Sequence, residues 1–390
     1  MSNLQNLDQK YIAGTYARFP VSIVSGKGSE VFDENGKRYI DMGSGIGVTC
    51  FGIADDAWVK AVTDQLRKVQ HTSNLYYTEP CVRLAELICE KSGMKKVFFC
   101  NSGAEANECV IKAARKYGYE KKGPDYYTIV TLENSFHGRT ITTLSATGQD
   151  HYHEQFLPLT PGFVHTPAND FDALKECVLK NKACAVMIEC VQGEGGVIAL
   201  DADFVKKLAE FSKHEDVLLI VDEVQTGNGR SGALYAYQNF GIQPDLVSTA
   251  KGIGGGLPLG AALFGEKVEK IFGFGDHGST FGGNPIACAG AVSVIERMDE
   301  DFLKSVRRKS EIAFEYLNGK KGIESVSGMG LMIGIKTRGD AKEIVRECMA
   351  RGVLCLTAKD KLRLLPALNI TEECLKEALE IIVSVCADKE

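Results

Sequence analysis

The stretch Ser248-Thr249-Ala250-Lys251-Gly252-Ile253-Gly254-Gly255-Gly256 sets a lysine between an apolar run, Asp245-Leu246-Val247, and a loop of glycines. Lysine is costly to bury, and burial lowers its pKa. A desolvated neutral amine attacks carbonyls and forms Schiff bases. By itself the stretch reads more simply as a loop lysine beside a flexible turn, and a lone glycine-rich loop is a weak phosphate signal. Its meaning depends on the residues brought near it.

In α/β sheets, ligands sit at the carboxyl ends of strands. Several further stretches fall at or just beyond predicted strand ends. Cys100-Asn101-Ser102-Gly103-Ala104-Glu105 turns a strand into a helix. The free N–H groups of a helix start suit a phosphate, and Gly103 allows close approach. Ser102 and Glu105 also fit an ordinary capped helix. In Ser135-Phe136-His137-Gly138-Arg139-Thr140, the aromatic and the imidazole suit stacking on a planar ring, and Arg139 suits a carboxylate. A packed Phe with surface charge is the alternative. Glu189-Cys190-Val191-Gln192-Gly193-Glu194-Gly195-Gly196 follows an apolar strand. A turn with exposed acids leaves Glu189, directly against that apolar run, unexplained.

Asp222 ends the apolar run Val217–Val221, and a carboxylate there needs a partner. The partner is a protonated ligand nitrogen, a helix N-terminus or a cation. Ser279-Thr280-Phe281-Gly282-Gly283-Asn284-Pro285 again offers hydroxyls and glycines. Each piece is weak alone. A Schiff-base lysine, an Asp for a pyridinium nitrogen, a stacking aromatic and a phosphate-binding helix start are together what pyridoxal phosphate needs.

The chain has 390 residues, 44% hydrophobic and 25% charged, with net charge −6. That is room for two or three packed units. No Lys/Arg block marks it for nucleic acid or an anionic membrane. Met1-Ser2-Asn3-Leu4-Gln5-Asn6 lacks the basic and apolar parts of a signal peptide, and no apolar run approaches a membrane span. Thirteen cysteines without CxxC spacing read as reduced, buried thiols of a cytoplasmic protein. No metal site is expected, and His151 and His153 read as solvated.

These residues must be positioned by an α/β alternation. Short strands are predicted at Val21–Val24, Val31-Phe32 and Arg38–Ile40, and helices at Ala57–Val69 and Thr78–Lys91. Tyr16 and Phe19 stand before the glycine-rich stretch Gly43–Gly47, and core packing is the alternative reading of them. Strands follow at Lys96–Cys100, Tyr126–Leu132, Ala183–Ile188, Val217–Val221, Asp245–Ser248 and Ala261–Phe264, with helices or loops between most of them. The alternation argues for a mainly parallel sheet covered on both faces. After Pro285 come a long interrupted helix, Ile286–Leu317, strands at Ser325–Ile335, Val353–Leu356 and Lys361–Leu365, and helices at Ala341–Ala350 and Thr371–Val385. The expected division is 1–54, the N-terminal part of a small domain; 55–286, a large cofactor-binding domain; and 287–390, the rest of the small α+β domain.

From Thr15-Tyr16-Ala17-Arg18-Phe19-Pro20 to Leu362-Arg363-Leu364-Leu365-Pro366, the chain resembles the class III pyridoxal-phosphate aminotransferases of fold type I, above all their acetylornithine aminotransferase group. The signatures are Phe99–Asn107, Ser135–Thr140, Val191–Val197, Asp222–Gln225 and His277–Pro285. The resemblance implies that Lys251 is the Schiff-base lysine and proton shuttle, Asp222 the pyridinium partner and Gln225 the partner of the ring hydroxyl. It implies that Phe136 stacks on the ring and that Ser102, Gly103 and Ala104 cradle the phosphate. Thr280 matches a residue that reaches the phosphate of the neighbouring subunit's cofactor, so a homodimer with a shared site is implied. Arg139 and Arg363 match the family's carboxylate-binding arginines, the second for glutamate or 2-oxoglutarate. Glu194 matches the acid that pairs with the second arginine between substrates, and Ser279 a substrate contact.

The chain departs from the family pattern at Gly52-Ile53-Ala54-Asp55-Asp56, where Gly-His-x-His-Pro is common, and at Cys190, where proline is usual. Ile46 stands where ornithine aminotransferases tend to have a tyrosine, whose hydroxyl would meet a free α-amino group. The implied reaction is transamination of N2-acetyl-L-ornithine with 2-oxoglutarate, a step of arginine biosynthesis. The alternatives are succinylornithine, ornithine or 4-aminobutyrate as donor. A non-catalytic pyridoxal-phosphate-binding regulator is disfavoured by retention of Lys251, Asp222 and both arginines. A nucleotide-binding protein is disfavoured because the glycines follow the lysine instead of preceding it.

Overall fold

The strands Thr128–Leu132, Ala183–Ile188 and Leu218–Asp222 are buried at every position. Continuous burial is what a parallel sheet covered on both faces requires. The computed structural model describes residues 3–389 and sets these strands inside a seven-stranded sheet. Its order is Lys96–Cys100, Gly260–Phe264, Leu246–Thr249, Leu218–Asp222, Ala183–Ile188, Thr128–Leu132, Phe163–Thr166. Neighbours pair in parallel except Gly260–Phe264, which runs antiparallel to both of its partners. Along one strand the faces alternate. Leu218 and Ile220 join the core under helix Gly103–Lys122, while Leu219 and Val221 join the larger core on the other face.

Two smaller sheets complete the chain. Ile23–Lys27, Glu30–Asp33 and Arg38–Asp41 form antiparallel pairs, and Val353–Leu354 then adds in parallel, with Val353 opposite Ile40. Ile323–Met329, Met332–Thr337, Lys361–Leu364 and Leu356–Ala358 form an antiparallel sheet. Lys361–Leu364 pairs on both sides, which sets Arg363 opposite Gly334 on one and Leu356 on the other.

Several expectations change. Ser325–Ile335 is a hairpin, turned at Gly330 with φ 60, where a Cβ would lie 2.3 Å from the Arg230 carbonyl oxygen. The interruption expected in the helix after Pro285 does fall there, between Pro285–Glu296 and Glu300–Leu317, where Asp299 caps the second by accepting from Phe302 N–H. Val353–Leu356 divides between two sheets at Cys355. Phe163–Thr166 is a further strand of the central sheet. Tyr16 and Phe19 are exposed, which sets aside the core-packing alternative for them. Met1 and Ser2 of the N-terminal hexapeptide lie outside the described residues. Among the described residues, no helix is long and apolar enough to cross a membrane.

Candidate functional site

Strand Leu218–Asp222 delivers Asp222 to the carboxyl edge of the central sheet, 4% exposed. Its Oδ2 accepts from Asn107 Nδ2 (2.8 Å) and from His137 Nδ1 (2.8 Å), and its Oδ1 from the backbone N–H of Val224 (3.0 Å). Protein donors thus meet much of what a buried carboxylate needs. His137 is fully enclosed; burial works against its charged form, but the Asp222 contact prevails and its pKa is raised. The imidazole therefore anchors Asp222 and does not stack on a ring, and its Nε2 is buried without a partner.

The neighbouring strand, Leu246–Thr249, ends just before Lys251. Lys251 sits at φ 49, a left-handed conformation that costs a non-glycine residue roughly 1–3 kcal/mol. Its amine has no hydrogen-bond partner among the described residues. Burial is the main cause of its lowered pKa; Glu194 opposes the shift and Arg363 adds to it. The glycines after it make no phosphate loop. A Cβ on Gly252 would lie 2.6 Å from Cys50 Sγ, and one on Gly255 2.7 Å from Trp58 Nε1, so these residues are small because other elements press on them.

Helix Gly103–Lys122 begins at the same edge. Ser102 caps it, accepting from Glu105 N–H at 3.2 Å, so the capped-helix reading holds. The N–H groups of Gly103 and Ala104 remain free to hold an anion. A Cβ on Gly103 would lie 2.7 Å from Val224 Cγ1, which seats this turn against the segment following Asp222. A Cβ on Gly138 would lie 3.2 Å from Ala104 Cβ, so the loop with Phe136 and Arg139 packs there too. Phe136 is half-buried, and Arg139 is exposed with its guanidinium over the Tyr152 ring at 4.2 Å.

Arg363 is 3% exposed and reaches in from the strand Lys361–Leu364. Its Nη1 donates to Glu194 Oε1 and to Gln225 Oε1 (3.1 Å), and its Nε is left without a partner. Burial opposes ionisation of Glu194, but the Arg363 charge and hydrogen bond win, and its pKa is lowered. Gln225 Nε2 also donates to Glu194 Oε1 at 3.4 Å.

Lys251, Asp222, Glu194, Gln225, Arg363, Phe136 and the turn Ser102–Ala104 thus converge. The Ser279 loop lies well beyond the strand Gly260–Phe264, not at a strand end; Ser279 Oγ joins the site by accepting from Asn101 Nδ2 at 3.3 Å. Thr280 is exposed and has no hydrogen-bond partner among the described residues. Asn107 was not singled out from sequence, His137 was read for ring stacking and not as the Asp222 partner, and Glu189 was noted without a role. Asn107 carried a signal: a polar amide beside Ala106 on a helix face completed by Val110 and Ala113, all buried. His153 is buried, not solvated, and donates from Nε2 to the Leu144 carbonyl (2.9 Å).

An aldehyde cofactor bearing a phosphate and a basic ring nitrogen fits this donor set. The free N–H pair suits the phosphate, Asp222 the ring nitrogen and the unpartnered Lys251 amine the aldehyde. The chain is 48% identical to the acetylornithine aminotransferase of Haemophilus ducreyi, over 99% of this chain and 98% of that one. It is 43% identical to that of Methanocaldococcus jannaschii, over 95% and 94%. Among solved structures, the ornithine aminotransferase of Toxoplasma gondii, with pyridoxal phosphate at partial occupancy in its active site, superposes with TM-score 0.94. It is 30% identical, over 99% of this chain and 94% of that one. The acetylornithine aminotransferase of Elizabethkingia anophelis gives TM-score 0.87 at 31% identity, over 99% and 98%. With residues 11–386 matching the family described as aminotransferase class-III, the chain belongs to the class III aminotransferases, enzymes of pyridoxal 5′-phosphate.

Proposed function

We propose that this enzyme transfers the terminal amino group of N2-acetyl-L-ornithine to 2-oxoglutarate, giving N-acetyl-L-glutamate 5-semialdehyde and L-glutamate, a step of arginine biosynthesis. The observation that carries a two-substrate reaction is the Glu194–Arg363 pair beside an unpartnered lysine amine. Arg363 and Glu194 pair with each other, and an incoming carboxylate can take Glu194's place on Arg363. One site then accepts a donor without a carboxylate there and, in the second half-reaction, an acid that needs one. The acetylornithine assignment draws support from the names of relatives at 43% and 48% identity over nearly the whole chain. It also draws support from Ile46, which offers no hydroxyl to a free α-amino group.

Pyridoxal phosphate, when bound, supplies the carbonyl that accepts the amino group and a ring that takes up an electron pair. Asp222, fixed by Asn107 and His137, would keep the ring nitrogen protonated. Gly103 and Ala104 N–H groups would hold the phosphate with Ser102, Phe136 would cover the ring, and Gln225 would face the ring hydroxyl. Lys251, whose pKa burial lowers, would take a proton from the carbon bearing the amino group and return it. Arg139 would hold the donor's carboxylate, Arg363 that of glutamate or 2-oxoglutarate, and Ser279 would touch substrate.

Thr280 is exposed and finds no hydrogen-bond partner among the described residues, and Leu75, Tyr76, Tyr77 and Phe281 are exposed. Both facts support a homodimer in which Thr280 completes the neighbouring phosphate site. The parallel pairing of Val353 with Ile40 supports a small domain drawn from 1–54 and 287–390 around a large domain of 55–286. Thirteen free thiols support a reducing compartment, the cytoplasm.

Single-turnover spectroscopy on the purified holoenzyme tests the donor. Acetylornithine should convert the cofactor's visible band fastest, ahead of succinylornithine, ornithine and 4-aminobutyrate. Faster conversion by ornithine or 4-aminobutyrate would overturn the named substrate and leave the family intact.

A further inference from the structure

Glu189 follows the apolar strand Ala183–Ile188 and is 5% exposed. Its Oε2 accepts from the backbone N–H of Phe136 at 3.0 Å, and its Oε1 from that of Gly193 at 3.3 Å. The first donor opens the loop that carries Arg139. The second immediately precedes Glu194, the acid on Arg363. A Cβ on Gly193 would lie 2.6 Å from Gln225 Oε1, and one on Gly195 2.6 Å from the Asn134 carbonyl oxygen. The turn is therefore pressed close on both sides, with Glu189 beneath it.

We propose that Glu189 is a positioning residue that ties both carboxylate-binding arms of the site to one buried carboxyl group. The inference rests on the reading of Arg139 and Arg363 given above. It explains why an acid lies directly against an apolar run: two loops from different parts of the chain each lend it a backbone donor. Charge-assisted hydrogen bonds of this kind are stronger than neutral ones.

The tie is sensitive to pH. Burial raises the Glu189 pKa to about 7; His137 and the two N–H bonds oppose that rise, and Asp222 adds to it. The groups facing it are His137 on the Phe136 loop, Asp222 at its strand end, Lys251, and Cys190 beside it in the chain. Ionised, the carboxylate accepts both N–H groups. Protonated, the carboxyl loses the charge that strengthens both bonds, and its O–H also faces one of the two donors. Both arms therefore tighten as pH rises through about 7.

Glu189→Gln keeps the side-chain shape but turns an NH2 toward one donor. In the holoenzyme, KM for acetylornithine and for 2-oxoglutarate should each rise by about tenfold, with kcat changing less. The limb near neutral pH in kcat/KM should vanish for both substrates. A readout without turnover, and without a variant, is backbone amide exchange in the wild-type holoenzyme. Protection at Phe136 and Gly193 should rise between about pH 6 and about pH 8, relative to neighbouring amides. This measurement decides the matter where the variant does not fold. Protection that ignores pH, a KM change for one substrate alone, or none for either would overturn the proposal. If Arg139→Ala and Arg363→Ala leave both KM values unchanged while Glu189→Gln raises them, the tie stands and the arginine reading falls.

Discussion

Asp222 and Ile46 stand for the floor and the rim of the site, and the chain treats them differently. Asp222 is 4% exposed and receives hydrogen bonds from Asn107, His137 and Val224. Ile46 is 42% exposed and β-branched, yet held at φ 65, where such residues are outliers. Floor residues come from adjacent strands and helix starts, so the sheet itself fixes their spacing. Rim residues come from loops that lean on few neighbours: Arg139 lies over Tyr152, and Thr280 is exposed, with no hydrogen-bond partner among the described residues. The difference teaches that the buried sheet edge builds the chemistry, whereas the residues around it are held by fewer contacts.

The largest test strikes the floor. Lys251→Ala should lower turnover by at least about a thousandfold and remove the visible band of the lysine-bound cofactor. Turnover close to wild type would refute the role of the floor. Arg363→Ala comes next and separates the two substrates. The glutamate half-reaction should slow by about a hundredfold, with the acetylornithine half-reaction nearly unaffected, as rapid mixing with each substrate will read. Equal losses in both halves would mean that Arg363 serves the floor instead. The smallest effects belong to the rim. Ile46→Tyr should shift the ratio of ornithine to acetylornithine use by about tenfold toward ornithine, the value of one hydrogen bond. Ile46→Gly should stabilise the fold by about 1 kcal/mol through relief of the positive φ, seen as a higher Tm. A lower Tm would show that packing of the side chain outweighs its strain.

Floor and rim were not equally legible in the sequence. Lys251 and Asp222 stood out because a charge at the end of an apolar run demands an explanation, and Lys96–Cys100 and Ala183–Ile188 because apolar runs between helices must be strands. The hidden parts depend on meetings between distant segments. Nothing near His137 says that it will grip Asp222, and nothing near Glu189 says which amides will face it. The direction of Gly260–Phe264 is likewise silent, since side-chain pattern does not encode strand polarity. The hairpin within Ser325–Ile335 was masked because Leu331 keeps the apolar pattern running through the turn at Gly330.

Ile40 and Val353 are neighbours in one sheet but far apart in time of synthesis. At about 5–20 residues per second, a ribosome delivers Val353 on the order of tens of seconds after Ile40. Throughout that wait, Arg38–Asp41 is the bare edge of a three-stranded fragment, and bare edges recruit strands from other chains. The nascent chain is thus most exposed to aggregation at its beginning, and its last quarter is what seals the first. Chaperones that cover a hydrogen-bonding edge would matter more to the yield of this enzyme than to its finished stability.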